Sequence, residues 1–193
     1  MLSRRIIYSR TVSTGTRTTG AGSGDSANIM KTLYLLRHAK SSWATPGQKD
    51  YERPLNDRGL HDAPEMAKRL LERGAQLDLV ISSPAVRALT TATLVCKGMN
   101  LDPATIVENR QIYLAGSPKL MQIISLFDEN CESAMLVAHN PALTDLANEL
   151  AHAGIDNIPT CGLVSICLPV EYWAEVLPGV GRVLSFDFPK DAD

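Results

Sequence analysis

The sequence predicts an α/β domain built on a largely parallel central sheet. Three observations carry this. Short apolar runs of strand length alternate with longer segments of helical periodicity. The runs lack polar alternation, so they are expected to be buried on both faces, as parallel strands covered by helices are. Helix-start signals follow directly on two of the runs.

The elements follow in order. Thr32–Leu36 (TLYLL) is the first strand, and Arg37-His38 comes straight after it. Ser41–Pro54 is polar, carries Pro46, Gly47 and Pro54, and reads as a loop. Ala63, Met66, Ala67, Leu70 and Leu71 recur at helical spacing and stop at Gly74. Pro64 falls inside that pattern, so the helix is expected to kink there or to become regular only near Asp62. Asp78–Ser82 is the second strand. Ser83-Pro84 then reads as cap and first turn of a helix whose stripe is Ala88, Ala92, Val95, Cys96 and Met99. Ser117–Phe127 is a third helix and Ala134–Ala138 a third strand. Asn140-Pro141 is expected to cap and begin a fourth helix running to about Ala153. Leu163–Leu168 and Val183–Phe188 read as late strands. No internal repeat and no second domain are visible.

The chain has 193 residues, 45% hydrophobic and 21% charged, which fits one globular domain and argues against disorder or a disulfide-stapled miniprotein. No run of eighteen apolar residues occurs, so no membrane span is expected. The net charge of −2 conceals an asymmetry: residues 1–29 carry Arg4, Arg5, Arg10 and Arg17 against Asp25, net +3, and the remainder is at −5. A domain of that charge is a poor nucleic-acid binder. Residues 1–29, Arg-rich, hydroxyl-rich and acid-poor, read as a leader, an organellar transit peptide for mitochondrion or chloroplast. The folded domain is expected over 30–193, with a cytoplasmic location if translation starts at Met30. Cys96, Cys131, Cys161 and Cys167 form no CxxC pair, so neither a zinc site nor a disulfide framework is indicated. Cys161 and Cys167 read as core packing.

The functional signal is positional. Arg37-His38, Ser82–Arg87 and His139-Asn140-Pro141 each follow a predicted strand. In open α/β sheets ligand sites lie beyond the carboxyl ends of the strands, so two histidines and two arginines converge on one rim. Arg87 stands near a helix N-terminus, where a cation is disfavoured unless an anion sits between them. An anion site, best a phosphate site, is the expectation.

LYLLRHAKSSW, RPLNDRG, SSPAVRALTTA and LVAHNP, in this order, resemble the histidine phosphatase superfamily, and within it the short SixA-like branch of phosphohistidine phosphatases. The resemblance spans nearly all of the chain from Met30 onward. It implies a three-layer α/β/α sandwich of phosphoglycerate mutase-like architecture and a phosphatase that needs no metal or cofactor. It also implies His38 as the nucleophile, forming a phosphohistidine intermediate, with Arg37 and Arg87 clamping the phosphoryl oxygens and His139 donating to them. Arg53 matches a further substrate-facing arginine of the branch. Larger relatives use a Glu to protonate the leaving group, and only Glu108 stands near the corresponding stretch. His61 and His152 match no motif and are expected at the surface. Trp43 and Tyr51 are placed either to wall the pocket or to anchor their loop.

The expected substrate is protein phosphohistidine or another labile phosphoryl group. The competing readings are a small-molecule phosphate-ester phosphatase of the same fold and a phosphate-binding or scaffold domain without turnover. Neither nucleic acid nor membrane is expected as a partner, and the sequence carries no signal for oligomeric state.

Overall fold

The computed structural model describes residues 30–189. The leader predicted over 1–29 lies outside them. A six-stranded sheet organises the chain: β1 (Lys31–Arg37), β2 (Leu79–Ser82), β3 (Val107–Glu108), β4 (Ser133–Ala138), β5 (Leu163–Leu168) and β6 (Arg182–Asp187), in the order β3-β2-β4-β1-β5-β6. Four helices cover it: α1 (Asp57–Glu72), α2 (Val86–Gly98), α3 (Ser117–Ile124) and α4 (Ala142–Ala151). Strands β1 to β4 are mutually parallel. β5 runs antiparallel to β1, and β6 antiparallel to β5.

The two-residue period of a strand sorts its side chains into two cores. Leu33 and Leu35 of β1, with Ala134 and Leu136 of β4, face the cluster that holds Leu120 and Ile124 of α3 and Leu143 and Leu146 of α4. Leu36, Met135 and Val137 face the opposite cluster, with Met66 and Ala67 of α1 and Ala92 and Val95 of α2. The sandwich is therefore three-layered, with β1 and β4 buried on both faces. Strand β6 breaks the predicted pattern. As an edge strand it alternates exposed with half-buried residues. Among the described residues no helix is long and apolar enough to cross a membrane.

Several element boundaries differ from those predicted. Helix α1 starts at Asp57, well before Asp62, because the Asn56 side chain accepts from the Gly59 N–H at 2.9 Å. Pro64 sits inside that helix and removes only one donor, the N–H that would reach Leu60. Ser83-Pro84 do not begin α2. The helix opens after Ala85 without a side-chain cap, because the Ser83 hydroxyl is engaged elsewhere. Asn140 likewise does not cap α4 and donates instead to Asn157 Oδ1 and the Ile158 carbonyl. Helix α3 ends at Ile124, short of Phe127. Strand β3, two residues long, is too short to leave any periodicity in the sequence. Cys161 and Cys167 are buried as core packing.

Gly59 fixes how the loop after β1 returns to the fold. A Cβ there would lie 2.2 Å from the Lys40 carbonyl oxygen, whose acceptor role towards Asn56 N–H closes this loop. Gly59→Ala is expected to push the loop out and destabilise the protein by about 1–3 kcal/mol. Urea unfolding at constant m-value, read as a lower midpoint, checks this.

Candidate active site

The parallel strands set the position of the site. Arg37 ends β1, and its neighbour His38 donates its backbone N–H to Ala138, the last residue of β4. His139 follows directly. Ser83 follows β2, and its N–H bonds the Val137 carbonyl. The reversed strand β5 has a consequence here. After α4 the chain must climb back to the same rim before β5 descends, which carries Asn157, Ile158 and Thr160 to Arg37.

These segments enclose a cavity of about 200 Å³ lined by Arg37, His38, Lys40, Ser41, Trp43, Arg53, Arg87 and Thr160. Arg37 Nη1 donates to the Ile158 carbonyl at 2.6 Å, while its Nε is buried without a hydrogen-bond partner. The Nε N–H is therefore available to a ligand. Arg53 is buried, and is anchored by the Ser42 carbonyl at 3.0 Å, Asp50 Oδ1 at 3.0 Å and Ser41 Oγ at 2.7 Å. It lines the cavity wall. Trp43, 77% exposed, lies over its guanidinium at 3.2 Å from the ring centre.

Hydrogen-bond partners fix the protonation pattern of His38. Its Nδ1 lies 2.8 Å from the Ala39 carbonyl, which can only accept, so Nδ1 carries the proton. The Ala39 N–H is held in turn by Thr91 Oγ1 at 3.0 Å. Nε2 therefore bears the lone pair, and it accepts from Arg87 Nε at 3.2 Å. The His38 and His139 rings are 5.1 Å apart. His139 does not line the cavity directly. It stands beside Arg87, with Nδ1 3.5 Å from Arg87 Nη2 and Nε2 2.8 Å from Ser83 Oγ.

Burial lowers the pKa of His38 to about 4, and the surrounding Arg87, Arg37 and Arg53 charges act in the same direction against the bond to Ala39. Burial, with His38 and Arg87 nearby, lowers that of His139 to about 3. Both rings are neutral at pH 7. Since their folded pKa values lie below the unfolded value of about 6.5, the unfolded chain binds more protons between pH 6.5 and 4. Stability is expected to be complete above pH 6.5 and to fall as the pH drops to about 4, by on the order of 3 kcal/mol for His38. Urea titrations across that range check the sign, and His38→Gln should flatten the slope.

Glu108 is exposed at the end of β3 and does not line the cavity. The carboxylate at the site is Asp50, which the sequence reading missed. It receives Arg53 Nη1 on Oδ1, and Arg87 Nη2 at 2.9 Å and Tyr113 OH at 3.0 Å on Oδ2. Burial would raise its pKa, but bonds from Arg53, Arg87 and Tyr113 outweigh this and hold it low. Its only sequence signal is a carboxylate three residues before Arg53. Ser83, Thr91 and Tyr113 were missed as well. Tyr51 packs edge-on against Tyr113 at 5.0 Å, which anchors the Asp50 turn. His61 and His152 are exposed, as expected.

A three-layer α/β/α sandwich whose parallel strand ends bring two histidines and two arginines together, beside a small cavity that Arg53 also walls, is the phosphoglycerate mutase-like architecture. The chain belongs to the histidine phosphatase superfamily: residues 33–110 match its branch 1 model. An uncharacterized protein of Mycobacterium tuberculosis is 30% identical over 165 residues, 80% of this chain and all of that one. An uncharacterized chloroplastic protein of Arabidopsis thaliana is 29% identical over 162 residues, 78% of this chain and 72% of its own. Among solved structures, the SixA protein of Agrobacterium tumefaciens, described as a phosphohistidine phosphatase, is 30% identical with a TM-score of 0.70, covering 83% of this chain and 99% of that one.

Proposed function

We propose that this protein is a phosphatase in which His38 Nε2 takes the phosphoryl group from protein phosphohistidine or a similarly labile donor. One observation carries the reading. A neutral histidine, its proton fixed on Nδ1 by Ala39, presents its lone pair at a cavity walled by Arg37, Arg53 and Arg87. The Nε2–P bond forms as the bond to the leaving group breaks, and the leaving group departs with the electron pair. Water then attacks phosphorus, restores Nε2 and releases inorganic phosphate. Arg37 and Arg87 hold the oxygens through the loose, charge-dispersed transition state, for which planar guanidinium groups are suited.

The choice of donor follows from the carboxylate. An alkoxide leaving group gains about 10²–10⁴-fold from a positioned acid. Asp50 is kept ionised by two arginines and a tyrosine, so it is a weak proton source at neutral pH. A departing imidazole needs less help. kcat/KM is therefore expected to fall steeply from phosphohistidine peptide through aryl to alkyl phosphates, and Glu108→Gln is expected to leave turnover unchanged. Alkyl phosphates cleaved as fast as phosphohistidine, with that activity abolished in Asp50→Asn, would overturn this substrate class.

A further inference from the structure

His139 poses a problem for the reading just given, on which this inference rests. An ionised phosphoryl oxygen only accepts, so a histidine helping to hold it must present an N–H. The His139 nitrogen next to Arg87 is Nδ1, 3.5 Å from a guanidinium nitrogen that can only donate. Nδ1 therefore carries the lone pair in this structure, and the proton is on Nε2, donated to Ser83 Oγ at 2.8 Å. Charging the ring is not a way out, since burial and the neighbouring Arg87 oppose it.

Ser83 is built to resolve this. It is fully buried, and its backbone N–H is tied to Val137, two residues before His139. Its Oγ also accepts the Ala85 N–H at 3.3 Å. A hydroxyl has one donor and two acceptor sites. With Ala85 holding one acceptor site, the hydroxyl can either accept from His139 Nε2–H or rotate and donate to a bare Nε2. We propose that Ser83 is a positioning residue whose hydroxyl reverses its hydrogen bond to His139 when an oxyanion enters, so that the neutral ring carries its proton on Nδ1 and donates it to the anion. One proton leaves Nε2 and one arrives at Nδ1 by exchange with solvent, and the ring charge does not change. Alanine at this position leaves Nε2 without a donor, so the Nδ1–H form loses its support.

The test is long-range ¹H–¹⁵N spectroscopy of histidine-labelled full-length protein at pH 7, free and with saturating inorganic phosphate, with His139 assigned by His139→Gln. The expected result is a neutral His139 that changes from the Nε2–H to the Nδ1–H pattern as phosphate is added. In Ser83→Ala the change should be absent and phosphate affinity about tenfold weaker, the size of one hydrogen bond. Ser83→Thr, which keeps the hydroxyl, should restore both, and thermal unfolding of each variant establishes that it is folded. A His139 pattern that phosphate leaves unaltered, a ring that becomes doubly protonated, or a Ser83→Ala variant that binds and switches as before would each overturn the proposal. The two readings fail separately. A tautomer change on phosphate binding without turnover of any phosphoryl donor sinks the phosphatase and leaves Ser83 its role, whereas undiminished turnover in Ser83→Ala with no tautomer change does the reverse.

Discussion

His38→Ala is expected to abolish turnover, with a loss of at least about 10⁴-fold in kcat, because removal of a nucleophile leaves only the residual effect of binding and electrostatics. The same variant should lose the covalent intermediate. Brief incubation of the unaltered protein with labelled donor, followed by denaturation, should leave phosphate on the chain that is labile in acid and stable in alkali. Ala39 and Thr91 hold the ring in place, so the variant loses the Nε2 lone pair while the loop keeps its path. Retention of label in His38→Ala would remove His38 from the mechanism.

Arg87→Ala is expected to cost about 10³-fold in kcat/KM, within the range seen for arginines that stabilise phosphoryl transfer. Its guanidinium is buried and touches three groups at once: His38 Nε2, Asp50 and His139 Nδ1. Arg87→Lys should recover little, since an ammonium cannot span these partners as a planar fork does. The variant also tests the electrostatics. Arg87 helps to lower the pKa of both histidines, so without it the acidic limb of the kcat/KM profile should move up from about 4 towards the ordinary histidine range. A loss of activity with an unmoved acidic limb would mean that burial, with Arg37 and Arg53, is enough to keep His38 neutral.

The site was legible where its residues lie next to strands. Arg37, His38, Arg87 and His139 could be placed on one rim because an apolar run announces a strand, and the residue after it has little freedom to be elsewhere. Arg53 needed the family resemblance, since it lies in a polar loop. Asp50 lies in the same loop, three residues earlier, and nothing local distinguishes it from Asp57 or Glu52. It becomes a site residue only because the loop folds back over α2 to reach Arg87, 37 residues away. Ser83 was read as a helix cap, the usual use of a serine before proline. Its actual partner, His139, is 56 residues further along the chain.

The alternation of strands and helices, the two-sided burial of β1 and β4, and the delivery of both histidines and two arginines to strand ends are all readable along the chain. These depend on periodicity and propensity, which act over a few residues and are written in order along the chain. The rest depended on how the chain folds. The tertiary structure placed β5 antiparallel, so that Asn157 and Ile158 meet Arg37, and it put Asp50 rather than Glu108 beside the arginines. It also made His38 and His139 neutral at pH 7, because a pKa depends on how much water is excluded and which charges stand near, and segments far apart in sequence supply both.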